Sequence, residues 1–351
     1  MSIEWLCIRG LRNLEPLELR PESGINWLYG ANGAGKTSVL EGIYLLARGR
    51  SFRSAVVSAI IQHGSQAAEV VVRRNDGHTL GVERQARNWR GRIDGRDSHR
   101  VSEFAAGLPL VLIEPDSHRL VDGGPDQRRQ YLDWQLFHVE QSYLSTWQRF
   151  ARALRQRNAA LKVGGDDRVL DALEPEFIST ADTINHLRAR HADSLAGVAD
   201  QLVAELGFRL PGKLGFRYRP GHPSETELRQ AVADNRQRDR ERGFSSHGPH
   251  RADLVLTCDG HAAATEMSRG QQKLLAIVLQ LAGLNQLVGS AARPPVLLLD
   301  DPVSELDQDH LSVLLDWLES RPVQCWVTAT SPGRATATMF HVEQGRVRPV
   351  V

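Results

Sequence analysis

The sequence predicts an α/β fold in which a sheet with a glycine-rich loop is joined to a β-rich subdomain and an inserted helical lobe. Two observations predict the sheet. A glycine loop at residues 30–37 lies between a short apolar segment and a helical pattern, and a second apolar strand, residues 296–299, ends in two carboxylates. A third observation predicts the insertion, since a long helical stretch separates these two segments.

Length and composition limit the class of protein. The chain has 351 residues and a formal net charge of +1, so any nucleic-acid surface must be a local patch. Its three cysteines are isolated, without a disulfide pattern or a metal-binding spacing. No apolar run approaches the roughly 20 residues of a membrane helix, and the N-terminus does not resemble a signal peptide. We therefore expect a cytoplasmic protein with no membrane segment.

The first part of the chain is predicted to be mainly β-structure. Apolar patterns predict strands at residues 3–9, 17–19, 25–29, 67–72, 79–83 and 108–113, and Asn75-Asp76-Gly77 predicts a hairpin turn. Residues 87–100 combine five arginines with two aspartates and contain a second turn at Asp94-Gly95. A basic surface and a solvated hairpin explain that composition equally well.

The second part begins with a helical region from about residue 127 to 235. Gly164-Gly165 and Pro211-Gly212 interrupt it, and it has no sustained heptad. Afterwards the pattern predicts strands at 254–257, 296–299 and 323–328 and a helix at about 270–288. We expect these strands to join the strand at 25–29 in one sheet. The predicted divisions are 1–126 for lobe I, 127–235 for the helical lobe II, and 236–351 for the return to the core.

The glycine loop matches G-x-x-x-x-G-K-[ST], a phosphate-binding motif. Glycines let the backbone turn its N–H groups toward a phosphate, Lys36 is placed to reach β- and γ-phosphates, and the Thr37 hydroxyl to hold Mg²⁺. A chance match in a glycine-rich turn is the alternative, but the strand before the loop and the helix after it disfavour that. The expected ATP contacts are Gly30, Ala31, Asn32, Gly33, Ala34, Gly35, Lys36, Thr37 and Ser38.

The strand at 296–299 and its two aspartates form a Walker B pattern. A strand buried on both faces is apolar throughout, and its carboxyl end is expected beside the phosphate loop. Asp300 is then placed to hold Mg²⁺, and Asp301 to polarise the attacking water. With Lys36 these are the predicted catalytic residues. Taken alone, the pattern also fits a strand that meets an acidic turn.

A third segment, Ser268-Arg269-Gly270-Gln271, opens a helix before this strand. Backbone N–H groups at such a start can bind a phosphate, so Ser268, Gly270 and Gln271 are candidate nucleotide contacts. Serine is also among the best helix-capping residues, and for an isolated tetrapeptide capping is the commoner role. The order of segments favours the first role. Together with Ser304-Glu305-Leu306-Asp307, they resemble the signature, Walker B and D-loop of ABC-type ATPases.

The resemblance narrows to the RecF family of bacterial DNA replication and repair ATPases, and it covers nearly the whole chain. Five blocks carry it: Gly49–Arg53; Pro115–Val121 with Gly124-Pro125 and Arg128-Arg129; Gly248–Asp253; Ser268–Lys273; and Asp300–Asp307. Two departures from ABC-type ATPases are present. The second Walker B acid is Asp301 rather than glutamate, and Thr330 is the nearest equivalent of the switch histidine. The candidate Q-loop is residues 114–116.

The resemblance implies an ABC-type ATPase head with a compact helical lobe in place of a coiled coil. It implies a slow, DNA-stimulated ATPase with ATP and Mg²⁺ as cofactors, which binds gapped DNA or single-strand/double-strand junctions. It also implies an ATP-dependent homodimer in which Ser268 faces the nucleotide of a second chain, and partnership with RecR and RecO in loading RecA.

A stretch without acids, residues 141–163, is the predicted DNA surface. Its basic residues are Arg149, Arg152, Arg155, Arg157 and Lys162. A solvated helix face is the alternative, because the protein is rich in arginine throughout.

Two other functions fit parts of the pattern. A transporter nucleotide-binding subunit would share the phosphate loop, but the span between Lys36 and Ser268 is longer than its compact head needs. A short SMC-like protein that bridges DNA would need long heptad arms, which the helical region lacks.

Overall fold

The computed structural model describes residues 2–164, 166–290 and 294–350. They divide into two compact units, unit 1 with residues 1–117 and 283–351, and unit 2 with residues 118–282. The inserted unit thus extends beyond the predicted lobe at 127–235 at both ends. At its C-terminal end, residues 236–282 include strands that pair within the unit. No helix in the described part of the chain is long and apolar enough to cross a membrane.

Strands and helices alternate irregularly along the described residues. The strands are β1 (Ile3–Arg9), β2 (Leu17–Leu19), β3 (Ile25–Tyr29), β4 (Ala67–Arg74), β5 (Thr79–Gln85), β6 (Trp89–Ile93), β7 (Arg96–Ser98), β8 (Leu110–Ile113), β9 (Leu214–Arg219), β10 (Asp253–Cys258), β11 (His261–Ala262), β12 (Val296–Leu299), β13 (Gln324–Ala329), β14 (Thr338–Glu343) and β15 (Arg346–Val350). The helices are α1 (Lys36–Arg48), α2 (Val101–Gly107), α3 (Arg119–Asp122), α4 (Pro125–Val139), α5 (Tyr143–Lys162), α6 (Asp167–Leu206), α7 (Leu228–Asp234), α8 (Arg236–Arg242), α9 (Ala263–Glu266), α10 (Arg269–Ser290), α11 (Pro302–Glu305) and α12 (Gln308–Glu319).

The central sheet of unit 1 has the strand order β15-β14-β3-β13-β12-β8. Its strands β14, β3, β13, β12 and β8 run parallel, and only β15 is antiparallel to its neighbour. Strands β12 and β13 are buried at every position, as expected for a parallel sheet covered on both faces. The sheet therefore contains both the strand before the glycine loop and the strand that ends in two carboxylates, as predicted.

The predicted strand at 254–257 exists as β10, but it does not join that sheet. It pairs antiparallel with β9 and β11 in a separate three-stranded sheet of unit 2. Strand β9 lies inside the region predicted as helical, so both expectations were wrong here. The reason is local. Leu214, Phe216 and Tyr218 repeat with the period of a strand, and β9 satisfies the backbone of β10.

The β-rich subdomain of unit 1 is a sheet of order β2-β1-β4-β5-β6-β7, antiparallel throughout. The predicted hairpins at 67–83 and around Asp94-Gly95 are confirmed. Asp94 and Gly95 have φ of 51° and 78°, the turn geometry that joins β6 to β7.

Helix α1 packs in the main apolar cluster of unit 1, which includes residues from both sheets. Val39, Leu40 and Ile43 are fully buried in that cluster, together with strand residues such as Leu6 and Leu298. A side chain at Gly42 would come within 2.7 Å of Ile8 on β1, so glycine allows the helix to approach the β-rich sheet closely. The first turn of α1, which directly follows the glycine loop, is thereby fixed by packing.

Unit 2 contains the long helical hairpin of α5 and α6. Phe150, Phe177 and Ile184 belong to its apolar cluster. The predicted interruption at Gly164-Gly165 falls between the two helices, although Gly165 lies outside the described residues.

Candidate functional site

The phosphate loop, residues 30–37, connects β3 to α1. Gly30, Gly33 and Gly35 have φ of 154°, 79° and 117°, values that side-chain-bearing residues rarely adopt. A Cβ at Gly30 would also lie 2.0 Å from the carbonyl oxygen of Val342 on β14. The path of the loop therefore requires these glycines.

Lys36 lies at the first position of α1 with its ammonium group turned back over the loop. Its Nζ donates hydrogen bonds to the carbonyl oxygens of Gly30 and Ala31, at 2.8 and 2.9 Å. Burial lowers the pKa of Lys36, and the nearby charges of Asp301 and Asp300 oppose that shift. The ammonium group is thus held inside the cradle where the motif requires a cation.

Asp300 follows β12 and meets the loop directly. Its Oδ1 accepts hydrogen bonds from the hydroxyls of Thr37 and Thr328, each at 2.8 Å. Burial raises the pKa of Asp300, and these two hydroxyls oppose the rise. A carboxylate beside a threonine hydroxyl is a hard oxygen donor set, the kind that Mg²⁺ prefers. The two predicted magnesium ligands therefore touch each other, and they fit that ion.

Asp301 is next in sequence but differs in conformation. Its φ and ψ are both 51°, a left-handed conformation that is uncommon for residues other than glycine but that aspartate adopts more readily than most. Its N–H donates to the Thr328 hydroxyl at 2.9 Å, which fixes the turn. The residue lines the same cleft as the phosphate loop. No hydrogen-bond donor among the described residues reaches its carboxylate. Asp301 therefore differs from Asp300, whose carboxylate accepts two hydrogen bonds.

The loop and Asp301 border a cleft of about 470 Å³. Four of its polar lining residues were missed as site residues by sequence reasoning: Arg12, Asn13, Arg53 and Thr328. Thr330, the expected equivalent of the switch histidine, is exposed and is not among the lining residues. Thr328 could have been found, because it is the last residue of the predicted strand at 323–328, and that strand pairs with the Walker B strand. Arg53 belongs to a block that supported the family resemblance without receiving a role.

Asn13, in the connection between β1 and β2, forms hydrogen bonds with the phosphate loop and with the start of α1. Its side-chain amide donates to the carbonyl oxygen of Gly33 at 3.0 Å and accepts from the Ser38 hydroxyl at 3.2 Å. From the far end of the chain, the Gly345 N–H donates to the Ala34 carbonyl oxygen at 2.8 Å. Both supports come from segments distant in sequence, which local pattern analysis does not reveal.

The Ser268 segment lies in unit 2 and is exposed at residues 268–270. The Ser268 N–H donates to Gln271 Oε1 at 2.9 Å, and the Gln271 N–H donates to Ser268 Oγ at 3.4 Å. This reciprocal pair is a capping box. Ser268 therefore does cap α10, as the simpler interpretation expects, and its exposure leaves it accessible to a ligand. The candidate Q-loop, residues 114–116, begins directly after β8, the neighbour of β12.

Comparison with known proteins gives the family. The profile described as RecF/RecN/SMC N terminal domain matches residues 2–344. A DNA replication and repair protein RecF from Xanthomonas axonopodis pv. citri (strain 306) is 41% identical over 366 residues, covering 99% of this chain and 98% of that protein. The chain belongs to the RecF family. A RecF from Pseudomonas syringae pv. syringae (strain B728a) is likewise 41% identical, over 362 residues, with 99% and 98% covered.

Solved structures agree on the fold. The recombination mediator protein RecF with ATP, described as part of the RecFOR pathway, matches with a TM-score of 0.89 at 25% identity, covering 99% of this chain and 97% of that chain. A Smc head domain from Pyrococcus furiosus matches with a TM-score of 0.60 at 17% identity, covering 99% and 96%, and so shares the fold alone. The ATPase-head fold predicted from sequence is confirmed. Membership of the RecF family favours a RecF-type ATPase over a transporter subunit or a short SMC-like protein.

The predicted DNA residues of this RecF family member fall into three groups on α5. Arg152, Arg155 and Lys162 are exposed and form no ion pair with the described residues. Arg149 is exposed but is held by Glu176, with two contacts at 2.7 and 2.8 Å. Arg157 is fully buried.

Arg157 therefore does not belong to an exposed DNA surface, and its inclusion was wrong. It bonds Asp239 Oδ2 at 2.8 Å, the Ser245 hydroxyl at 2.7 Å, and Glu174 Oε1 at 3.1 and 3.2 Å. The signal was present in the sequence: Phe150, Ala153 and Arg157 recur on one helical face, which is the buried one. The arginine joins α5 to α6 and to α8.

Removing this buried cation is expected to destabilise unit 2. We expect Arg157→Met to lower the free energy of unfolding by about 3–5 kcal/mol, because it leaves Glu174 and Asp239 buried with fewer partners. Urea unfolding followed by circular dichroism measures the change. Arg152→Met on the exposed face is the matched control and is expected to stay within about 0.5 kcal/mol. A loss below about 1 kcal/mol for Arg157→Met would contradict the structural role.

Proposed function

We propose that this RecF-family protein is a DNA-binding ATPase of DNA replication and repair. One observation carries the proposal: the phosphate loop lines a cleft together with Asp301, and the loop's Thr37 hydroxyl lies 2.8 Å from the Asp300 carboxylate. The relatives named above are DNA replication and repair proteins, and a similar solved structure holds ATP. Both support the proposal.

The chemistry assigned to the cleft is ATP hydrolysis. Lys36 and the loop N–H groups bind the β- and γ-phosphates, and residues 30–38 form the nucleotide contacts. Thr37 and Asp300 hold Mg²⁺, which neutralises phosphate charge. Asp301 orients water and accepts its proton, since its carboxylate lines the cleft without a hydrogen-bond donor among the described residues. Its shorter side chain, compared with glutamate, is consistent with slow turnover.

The second half of each site is supplied by another copy of the chain. Ser268, Gly270 and Gln271 of one chain close over the nucleotide held by the phosphate loop of its partner. Such a head-to-tail pair has two-fold symmetry and closes on itself. ATP then favours the dimer, and hydrolysis allows the two chains to separate. The size of this effect is set by how much more tightly ATP binds the dimer than the monomer.

DNA binding is assigned to the exposed cations of α5, Arg152, Arg155 and Lys162, with Arg149 at the edge of the face. The target is gapped DNA or a junction between single and double strands. In this proposal the protein acts in the cytoplasm with RecR and RecO to promote RecA loading, and DNA stimulates its ATPase activity. Phosphate contacts fix position without reading bases, so little sequence preference is expected.

Charge reversal tests the DNA surface. We expect Arg152→Glu/Arg155→Glu to weaken ATP-dependent binding to gapped duplex DNA by tenfold or more. We also expect it to reduce the slope of log K against log salt by about 2, roughly one unit per lost phosphate contact. Fluorescence anisotropy at several salt concentrations measures both.

The matched control is Arg9→Glu/Arg20→Glu, which makes the same change in net charge at exposed positions of unit 1. The control should retain the wild-type slope. If the α5 variant also keeps it, the arginines form only a solvated helix face.

A further inference from the structure

Glu41 is a fully buried carboxylate on α1 that the phosphate-loop motif does not include. The Arg12 guanidinium donates to it twice, from Nε at 2.9 Å and from Nη2 at 2.7 Å. Arg53 Nη1 lies 3.7 Å from Glu41 Oε2, and the Ser51 hydroxyl donates to Glu41 Oε1. One buried anion therefore collects donors from two separate segments of the chain.

The two arginines face the cleft while Glu41 does not. Arg12 and Arg53 both line the cleft, and their side chains are 20% and 45% exposed, whereas that of Glu41 is 0% exposed. The Arg12 side chain is further fixed by a bond from Nη1 to the Ala59 carbonyl oxygen. The carboxylate is thus taken up by Arg12, Arg53 and Ser51, and both arginines line the cleft.

Ser51 extends the same anchor to the backbone around Arg53. Its Oγ accepts hydrogen bonds from the N–H groups of Arg53 and Ser54, at 2.9 and 3.0 Å. The Glu41–Ser51 contact therefore fixes the turn that carries Arg53. This accounts for the Gly49–Arg53 block, which the phosphate loop and the Walker B strand leave without a role.

The charge of the cleft shows why an anchored pair of arginines matters. Without them, the single cation Lys36 faces two carboxylates, Asp300 and Asp301, and the cleft would repel a triphosphate. Two guanidinium groups, counted together with the Glu41 carboxylate that they share, offset that excess of negative charge. Planar guanidinium groups also suit phosphate oxygens geometrically. A flexible arginine would lose side-chain entropy on binding, which a fixed one avoids.

We propose that Glu41 is a positioning residue that holds Arg12 and Arg53 against the phosphates of the bound nucleotide. The inference rests on the proposed function, in which ATP occupies this cleft. Glu41 touches no ligand and acts only through the two arginines. Its removal should therefore matter only while those arginines are present.

A double-mutant cycle tests this dependence. Glu41→Gln keeps the side-chain shape and removes the charge, and we expect it to raise the Kd for a fluorescent ATP analogue with Mg²⁺ about tenfold, comparable to losing one charge-assisted hydrogen bond. In an Arg12→Ala/Arg53→Ala background, the same change should raise the Kd by less than twofold. An equal loss in both backgrounds, or wild-type binding by Glu41→Gln, would overturn the proposal.

Controls separate positioning from folding. Glu174→Gln also removes a buried carboxylate held by two arginines, Arg157 and Arg236, but Glu174 does not line the cleft. It should leave the Kd within twofold. Glu41→Asp, which keeps the charge on a shorter side chain, should recover part of the affinity. If Glu41→Gln does not fold, Ser51→Ala replaces it in the cycle. We expect threefold weaker binding that disappears without Arg12 and Arg53, and its absence would overturn the proposal.

Lys36→Met in the same assay distinguishes failure of the proposed ATP site from failure of the proposed role of Glu41. If Lys36→Met binds like the wild type, the cleft is not the ATP site and the proposed function fails. If Lys36→Met loses binding while Glu41→Gln keeps it, only the role of Glu41 fails.

Discussion

An Asp301→Asn variant is expected to bind ATP with nearly wild-type affinity and to hydrolyse it about 10²–10⁴-fold more slowly. The magnitude is that of removing a general base. Asparagine has almost the same shape as aspartate, and the Asp301 N–H bond to Thr328 does not involve the side chain. The change therefore removes the proton acceptor and leaves the turn intact. Single-turnover hydrolysis and equilibrium ATP binding, measured on the same preparation, test the two parts separately.

Asp300→Asn is the informative comparison. Asp300 accepts hydrogen bonds from Thr37 and Thr328, so its loss should disturb the loop and raise the Mg²⁺ concentration needed for binding. The two variants should thus differ, with Asp300→Asn defective in magnesium use and Asp301→Asn defective in turnover. Wild-type turnover by Asp301→Asn would remove its assignment as the base.

Sequence predicted the parts of this structure in which local chemistry decides the outcome. The glycines of the loop, the buried strand β12 and the helix α1 all have patterns whose physical cause is local. Positive φ requires glycine, a strand covered on both faces is apolar, and a helix that packs on one side repeats every three to four residues. These elements are also the ones that bring Lys36, Thr37 and Asp300 together.

The missed features depend on tertiary contacts. Strand β9 is short, and its partner β10 gives it a stable place in a sheet. Arg157 has the composition of a surface residue, and only the acids of α6 and α8 make its burial favourable. Asn13 and Glu41 act through residues elsewhere in the chain. For Arg157, the helical periodicity of α5 does predict burial, because Phe150, Ala153 and Arg157 lie on the same buried face.

The Ser268 segment shows that two interpretations of one motif need not exclude each other. The capping box accounts for the hydrogen bonds of Ser268 within its own chain. It does not account for the exposure of residues 268–270, or for a glycine at the second position of the helix, where glycine is a poor helix former. A cap that also binds phosphate would explain all three. The roles can be separated, because capping needs only an acceptor whereas phosphate binding excludes a negative charge.

Ser268→Asp separates them experimentally. Aspartate caps helices as well as serine does, so the stability of unit 2 should be unchanged, but its charge would face the γ-phosphate of a nucleotide on a second chain. We therefore expect Ser268→Asp to bind ATP, to fail to dimerise in sedimentation experiments with ATP, and to lose most hydrolysis. Ser268→Arg should fail likewise by bulk, while also losing the cap.

Mixing variants tests whether the site is shared between chains. Lys36→Met should bind no ATP, and Ser268→Asp should bind it without hydrolysis. A mixed dimer contains one intact site, made from the phosphate loop of the Ser268→Asp chain and the Ser268 segment of the Lys36→Met chain. Partial recovery of ATPase activity on mixing, absent from either variant alone, is the expected result. A Ser268→Asp monomer that hydrolyses ATP at the wild-type rate with DNA present would show that the segment is a helix cap alone.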